Sequence, residues 1–303
     1  MLPARDVCVP NPIRLSDLAV RSESPASLPS FFIIGPPRTG TTWLHGILKT
    51  RAVLPEIKET RFFDQQFDRG LNWYRRCFRN RNDSLRIGEI APTYFCSAIA
   101  RERIARATPS ARLVCTFRHP IERLLSLYRV KRAYGWIRWN LEEAVAHDSE
   151  LIESGKYATN LKAWQLAVGK SQILPTVYDD LREDPQAFVN SIADFISLPR
   201  FTLSSPETEA VFASKVLTQP RSYYHTRGAM LLANWCKMRH LGAIPNAVRT
   251  SPFFKFFVAG GAEFPGAPKE LLARLAEIFR PEIDELEVLL NRDLPAWKNV
   301  TSC

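Results

Sequence analysis

Phe31-Phe32-Ile33-Ile34-Gly35-Pro36-Pro37-Arg38-Thr39-Gly40-Thr41-Thr42-Trp43-Leu44 sets a short apolar run against a glycine-bounded turn and an amphipathic continuation. That order reads as strand, phosphate loop and helix. Gly35 and Gly40 have P-loop spacing, in which successive backbone N–H groups and the positive end of the following helix cradle an anion. In the nucleoside-triphosphate version of this loop a lysine follows the second glycine and reaches the outer phosphates. Here Thr41 stands in that place, Thr42 follows, and the cation lies inside the loop as Arg38. A lysine-free loop fits a nucleotide with a shorter anionic tail, and Arg38 fits a charge met at the turn itself. A strand-turn-helix corner without a ligand is the alternative reading of this stretch taken alone.

Composition bounds the rest. The chain has 303 residues, 24% charged and 46% hydrophobic, as in an ordinary globular protein able to bury a substantial core. No window approaches the roughly 18 uninterrupted apolar residues needed to span a bilayer, and no signal-peptide pattern opens the chain, so the expected location is cytoplasmic. Cys8, Cys77, Cys96, Cys115, Cys236 and Cys303 are scattered without metal-ligand spacing and are expected to be free thiols. The net charge of +10 favours anionic ligands, though arginines on solvated helix faces would give the same total.

Along the chain, residues 1–30 are proline-rich and aperiodic and are expected to form an extended arm, with residues 31–303 as a single domain. Strands are expected at Leu85–Ile90, Arg112–Phe117 and Gln172–Tyr178, and helices at Thr42–Thr50, Leu71–Phe78, Ala98–Ala107, Ile121–Arg132, from Asp179 through Ser197, and over 268–290 with an interruption at Pro281. Trp43, Leu44, Ile47 and Leu48 would pack the first helix on the first strand. Strands alternating with helices imply a three-layer α/β/α, P-loop-like fold whose central sheet is mostly parallel, with ligands at the carboxyl ends of the strands. Both the phosphate loop and Arg118 fall there. Residues 201–267 give no clear pattern beyond basic and aromatic clusters.

Arg118 ends a buried strand, Pro120 opens the next helix, and Ser126 follows along it. A bidentate cation and a hydroxyl at the sheet rim suit a second phosphate, whereas a magnesium-dependent kinase would end such a strand in aspartate. A structural salt bridge with a solvent-facing serine is the alternative.

Four segments in order and spacing now carry a family resemblance: the loop Pro36–Trp43, then Lys58-Glu59-Thr60-Arg61-Phe62-Phe63-Asp64, Gly88-Glu89-Ile90-Ala91-Pro92-Thr93-Tyr94-Phe95, and Phe117–Tyr128. Together they resemble the sulfotransferases that use 3′-phosphoadenosine 5′-phosphosulfate (PAPS), nearest to the heparan sulfate glucosaminyl 3-O-sulfotransferase type and its bacterial counterparts. The resemblance runs over Phe31–Leu198 and, less clearly, Pro268–Trp297. It implies that Pro37, Arg38, Thr39, Gly40, Thr41, Thr42 and Trp43 hold the 5′-phosphosulfate and that Arg118 and Ser126 bind the 3′-phosphate. It also implies release of 3′-phosphoadenosine 5′-phosphate (PAP) and no metal.

Glu59, by itself an ordinary loop residue, then matches the catalytic glutamate that takes the acceptor's proton as the nucleophile attacks sulfur. Arg38, where relatives carry lysine, joins it as a catalytic residue. Arg61 and Asp64 match positions flanking the acceptor, with arginine replacing a histidine. Ile90 replaces an acceptor-contacting lysine of the heparan sulfate enzymes, which counts against a heparan chain as substrate. Gly155-Lys156-Tyr157 and Arg221–Arg227 read equally as ligand loops or as surface.

The expected activity is sulfuryl transfer to a hydroxyl, with an amine as the lesser alternative, of a carbohydrate or small-molecule acceptor. A P-loop kinase and a non-catalytic nucleotide-binding module are the rivals. Nucleic acid is not an expected partner, since no recognisable binding motif accompanies the charge.

Overall fold

The computed structural model describes residues 28–78, 85–212, 217–238 and 261–299, so residues 1–27 of the arm expected at 1–30, with Cys8, and Cys303 lie outside the described residues. Four parallel strands, β1 (Phe31–Ile33), β2 (Gly88–Ile90), β3 (Arg112–Phe117) and β4 (Ile173–Val177), form one sheet in the order β2-β1-β3-β4. Phe31, Phe32 and Ile33 pair with Gly88, Glu89 and Ile90 on one side and with Arg112, Leu113 and Val114 on the other. With neighbours on both edges, β1 is central.

Side-chain alternation along these strands builds two cores. Phe32, Leu113, Cys115 and Phe117 enter one, and Phe31, Ile33, Ile90 and Val114 enter the other. A strand covered on both faces needs a continuous apolar run, which explains the absence of polar alternation in Phe31–Ile34. On the second face lie α1 (Thr41–Leu48), α8 (Tyr178–Glu183) and α9 (Pro185–Phe195), which contribute Leu44, Ile47, Leu181, Val189 and Ile192. The first face is covered by α3 (Ala98–Ala107), α4 (Pro120–Ala133), α7 (Tyr157–Val168) and α12 (Lys269–Leu290). Helices on both faces of a parallel sheet make the expected three-layer α/β/α arrangement. The short α2 (Gly70–Arg76), α5 (Leu141–His147) and α6 (Glu150–Glu153) border the first face, and α10 (Ser205–Phe212) and α11 (Tyr223–Met238) follow α9.

Several expected boundaries change. The β2 strand is confined to Gly88–Ile90, with Ile87 only bridging Val53. The helix expected from Asp179 through Ser197 is two helices. Asp184 accepts the Ala187 N–H at 2.9 Å, and Pro185, which has no N–H to give the preceding turn, opens α9. The interruption expected at Pro281 does not occur. Leu271, Leu275, Phe279, Ile283 and Leu286 form one buried stripe through it, and their burial offsets the ~3 kcal/mol local cost of an interior proline. Trp43 leans to the rim of its core and donates its indole N–H to the Glu207 carbonyl at 2.7 Å, tying α1 to α10. Cys77, Cys96 and Cys115 are free thiols. No helix among the described residues is long and apolar enough to cross a membrane.

Candidate active site

The turn between β1 and α1 lies at the carboxyl edge of the sheet, and two of its residues hold left-handed backbone: Arg38 at φ 76° and Gly40 at φ 85°. Glycine takes that conformation at no steric cost, arginine does not. A Cβ at Gly35 would stand 2.5 Å from the Thr116 backbone nitrogen, so glycine lets the loop lie against β3. Buried Thr39 donates to the Pro36 carbonyl at 2.8 Å and closes the turn. Gly40 provides no side chain to cap α1 and the first turn holds no acid, so the helix's positive end faces the turn without a protein carboxylate.

Cations gather around that end. Arg38 donates through Nε to Ser126 Oγ on α4 at 2.9 Å. Arg118 holds Glu122 at 2.8 Å and lies 5.0 Å over the Tyr178 ring. Lys58 donates to Thr42 Oγ1 at 3.1 Å. Burial lowers the Arg38 pKa, and the Arg118 charge lowers it further. Burial also lowers that of Lys58, with Glu59 opposing and Arg38 adding to the effect. Both shifts express the same fact: these cations crowd one another in a partly desolvated place.

Glu59 is the next residue along from Lys58, at φ 63°, and Arg61 follows at φ 54°. Among the described residues no hydrogen bond or ion pair occupies the Glu59 carboxylate. Burial raises its pKa, while Lys58 and Arg61 pull the other way. Thr60, between the two strained residues, is pinned from below by Glu89. The Thr60 N–H and hydroxyl reach Glu89 Oε1 at 3.1 and 2.6 Å, the Tyr74 hydroxyl reaches Oε2 at 2.5 Å, and the Tyr94 hydroxyl lies 3.4 Å from both oxygens. Tyr94 also accepts the Phe63 N–H at 3.3 Å. Glu89 is fully buried, and desolvation raises its pKa against these donors. Arg61 donates to Asp64 at 2.9 Å.

A cleft of about 570 Å³ opens over these groups. Pro37, Arg38, Thr41, Thr42, Glu59 and Arg61 line it, and Lys58 shares its wall. Of the remaining sequence candidates, Thr39 is buried in the turn, Trp43 turns to α10, and Asp64 stands behind Arg61. Arg118 and Ser126 adjoin the cleft through Arg38. Ile90 is buried in the core on the α1 face, away from the cleft lining. Of Gly155-Lys156-Tyr157, Lys156 pairs with Glu153 and Tyr157 donates to the Arg118 carbonyl at 2.8 Å, which fixes the end of β3. Arg221–Arg227 leads into α11, with Thr226 buried against Gly135.

Sequence reasoning gave no role to Lys58, Glu89, Lys131, Trp136 or Trp139. Glu89 carried a readable signal, a carboxylate in the middle of a strand in a parallel sheet. Lys58 stood beside Glu59 in a quoted segment, whereas Lys131, Trp136 and Trp139 carried no signal, because α4 and the segment after it reach the cleft only in three dimensions.

Residues 28–215 match the family model described as "Sulfotransferase domain". The human bifunctional heparan sulfate N-deacetylase/N-sulfotransferase 2 is 25% identical over 212 residues, 62% of this chain and 24% of that protein. Human heparan sulfate glucosamine 3-O-sulfotransferase 6 is 26% identical over 267 residues, 84% of this chain and 69% of that one. The chain thus spans only about a quarter of the N-deacetylase/N-sulfotransferase it matches. A crystal structure of a sulfotransferase from Alicyclobacillus acidocaldarius shares the fold, with TM-score 0.64 at 19% identity over 90% of this chain and 99% of that one.

Proposed function

The chain belongs to the sulfotransferase domain family, and on that premise we propose that it moves a sulfuryl group from PAPS to a hydroxyl of a carbohydrate or small-molecule acceptor, with residues 31–303 acting as one catalytic domain. The observation that carries this reading is the pair Arg38 and Arg118, crowded together at the uncapped positive end of α1. That residue set fits a ligand with two separate anionic groups. The α1 N–H groups, Thr41, Thr42, Arg38 and Lys58 would hold the 5′-phosphosulfate, and Arg118 and Ser126 the 3′-phosphate. When bound, PAPS supplies an activated sulfuryl group and a leaving phosphate.

The chain's own part is positioning and charge. Arg38 and Lys58 stand where negative charge grows on the leaving side. Glu59 Oε would take the proton of the acceptor hydroxyl, and its unoccupied carboxylate and raised pKa suit a group that must accept a proton near neutral pH. Glu89, through Thr60, keeps the Glu59 backbone in its left-handed turn.

A thermal-shift titration tests the donor reading, since a ligand bound only by the folded state raises its stability by mass action. PAP is expected to stabilise the protein without magnesium and more than ATP does. An equal shift from the analogue lacking the 3′-phosphate would remove Arg118 and Ser126 from donor binding, and a larger, magnesium-dependent shift from ATP would favour a kinase.

A further inference from the structure

Away from the phosphate loop, the cleft changes character. Lys131 on α4 is 7% exposed, and its ammonium lies 2.6 Å from both Asp148 and Glu150. Asp148 also accepts the Glu150 N–H at 3.3 Å, which fixes the two acids side by side. The Lys131 ammonium is shared by these two carboxylates, which keep further acceptor capacity toward the cleft. Leu127, Val130 and Ile137 form an apolar wall beside it, completed by Trp136 and Trp139. Trp136 is 45% exposed, and the Trp139 ring lies 5.2 Å from that of His147.

We infer that the acceptor is an uncharged glycoside: the indoles and their apolar neighbours take the face of its ring, while Asp148 and Glu150 accept hydrogen bonds from its hydroxyls and set like charge against anionic chains. This rests on the sulfotransferase reading and goes beyond it in naming the acceptor's class. A ring with an apolar face and a polar edge matches a site with aromatic faces on one side and hydrogen-bond acceptors on the other. A sulfated or carboxylated chain would instead bring like charge against two carboxylates that already share the Lys131 ammonium.

The test is tryptophan fluorescence of the PAP-loaded full chain, titrated with an uncharged alkyl glucoside below its micelle concentration and, separately, with a heparin oligosaccharide. Saturable quenching by the glucoside, at least roughly tenfold tighter than any binding of the oligosaccharide, is expected. The exposed Trp136 can be changed without opening the core, and Trp136→Ala is expected to weaken glucoside binding by roughly tenfold, the scale of one aromatic contact. Asp148→Asn with Glu150→Gln should move the preference toward the oligosaccharide. Oligosaccharide binding as tight as glucoside binding, glucoside binding indifferent to Trp136→Ala, or binding of neither sugar while PAP still raises the melting temperature overturns the inference and leaves the transferase reading standing. Failure of PAP itself to stabilise the protein overturns that reading and the inference with it.

Discussion

Two charge clusters flank the same short loop, and they are built in opposite ways. Around Arg38 cations stand together, short of acids: Arg118 has Glu122, Lys58 has a threonine hydroxyl, and Arg38 has a serine. Around Glu89 the single acid has no cation but is surrounded by donors, two from Thr60 and one each from Tyr74 and Tyr94. A buried acid whose hydrogen bonds are all made internally needs nothing further and serves to fix the fold. Cations pressed together with donors to spare are complete only when an anion arrives. Glu59 lies between the two clusters, and its carboxylate is hydrogen-bonded to neither.

If this division of labour is right, the largest effect belongs to the residue in the middle. Glu59→Gln keeps the side chain's size but removes the proton acceptor, and turnover should fall by about 10²–10⁴-fold with PAP affinity retained. Near-normal turnover would return Glu59 to an ordinary loop residue. Arg38→Ala should behave differently, because it removes charge from the anion side. Turnover is expected to fall by about 10²–10³-fold, the scale for loss of one charge-stabilising donor, together with weaker PAP binding. Measuring PAP affinity beside turnover in both variants separates the two roles, and a matching pattern would erase the distinction between loop and base.

What the sequence made legible divides along the same line. The phosphate loop could be read because backbone geometry demands glycines at fixed spacing and a helix directly after them, all within a dozen residues. Arg112–Phe117 could be read because a strand buried on both faces must be continuously apolar. The helix break at Asp184-Pro185 was missed although both signals, a capping acid and a proline, were present; the apolar pattern of the two helices simply runs on across it. The continuity through Pro281 was illegible for the opposite reason, since tertiary burial overrode a local breaker. The far end of the cleft depends on Lys131, Asp148 and Trp136, brought together by folding with no local motif to mark them.

The acid cluster gives the next prediction. Glu89→Ala leaves the Thr60 N–H and hydroxyl and the Tyr74 hydroxyl without their acceptor in a buried place. Each unsatisfied group costs about 1–3 kcal/mol, so chemical denaturation should show a marked loss of stability. If Glu89 also keeps the Glu59 loop in place, turnover per folded molecule should drop while PAP affinity stays, a split that a merely weaker fold would not produce. A variant that is destabilised but fully active would confine Glu89 to the core.

The smallest effect tests the middle residue from the stability side. Burial raises the Glu59 pKa, so the folded state holds that proton more tightly than the unfolded state does. The sign follows from linkage: this contribution to stability is fully present below the unfolded carboxylate pKa and is lost as pH rises through the folded one. Above that window the ionised, partly desolvated carboxylate is a burden on the fold. Glu59→Gln carries no such charge and should therefore melt no lower than the parent protein at pH 7, and slightly higher if Lys58 and Arg61 offset the burial only in part. The difference should vanish at pH values below the carboxylate range, where both side chains are neutral. Parallel melting curves at acidic and neutral pH check this, and the rate should rise with pH through the same ionisation in the parent alone. A variant less stable than the parent at pH 7 would mean that Lys58 and Arg61 outweigh burial, which would move Glu59 from the unheld middle of the loop into the cation cluster.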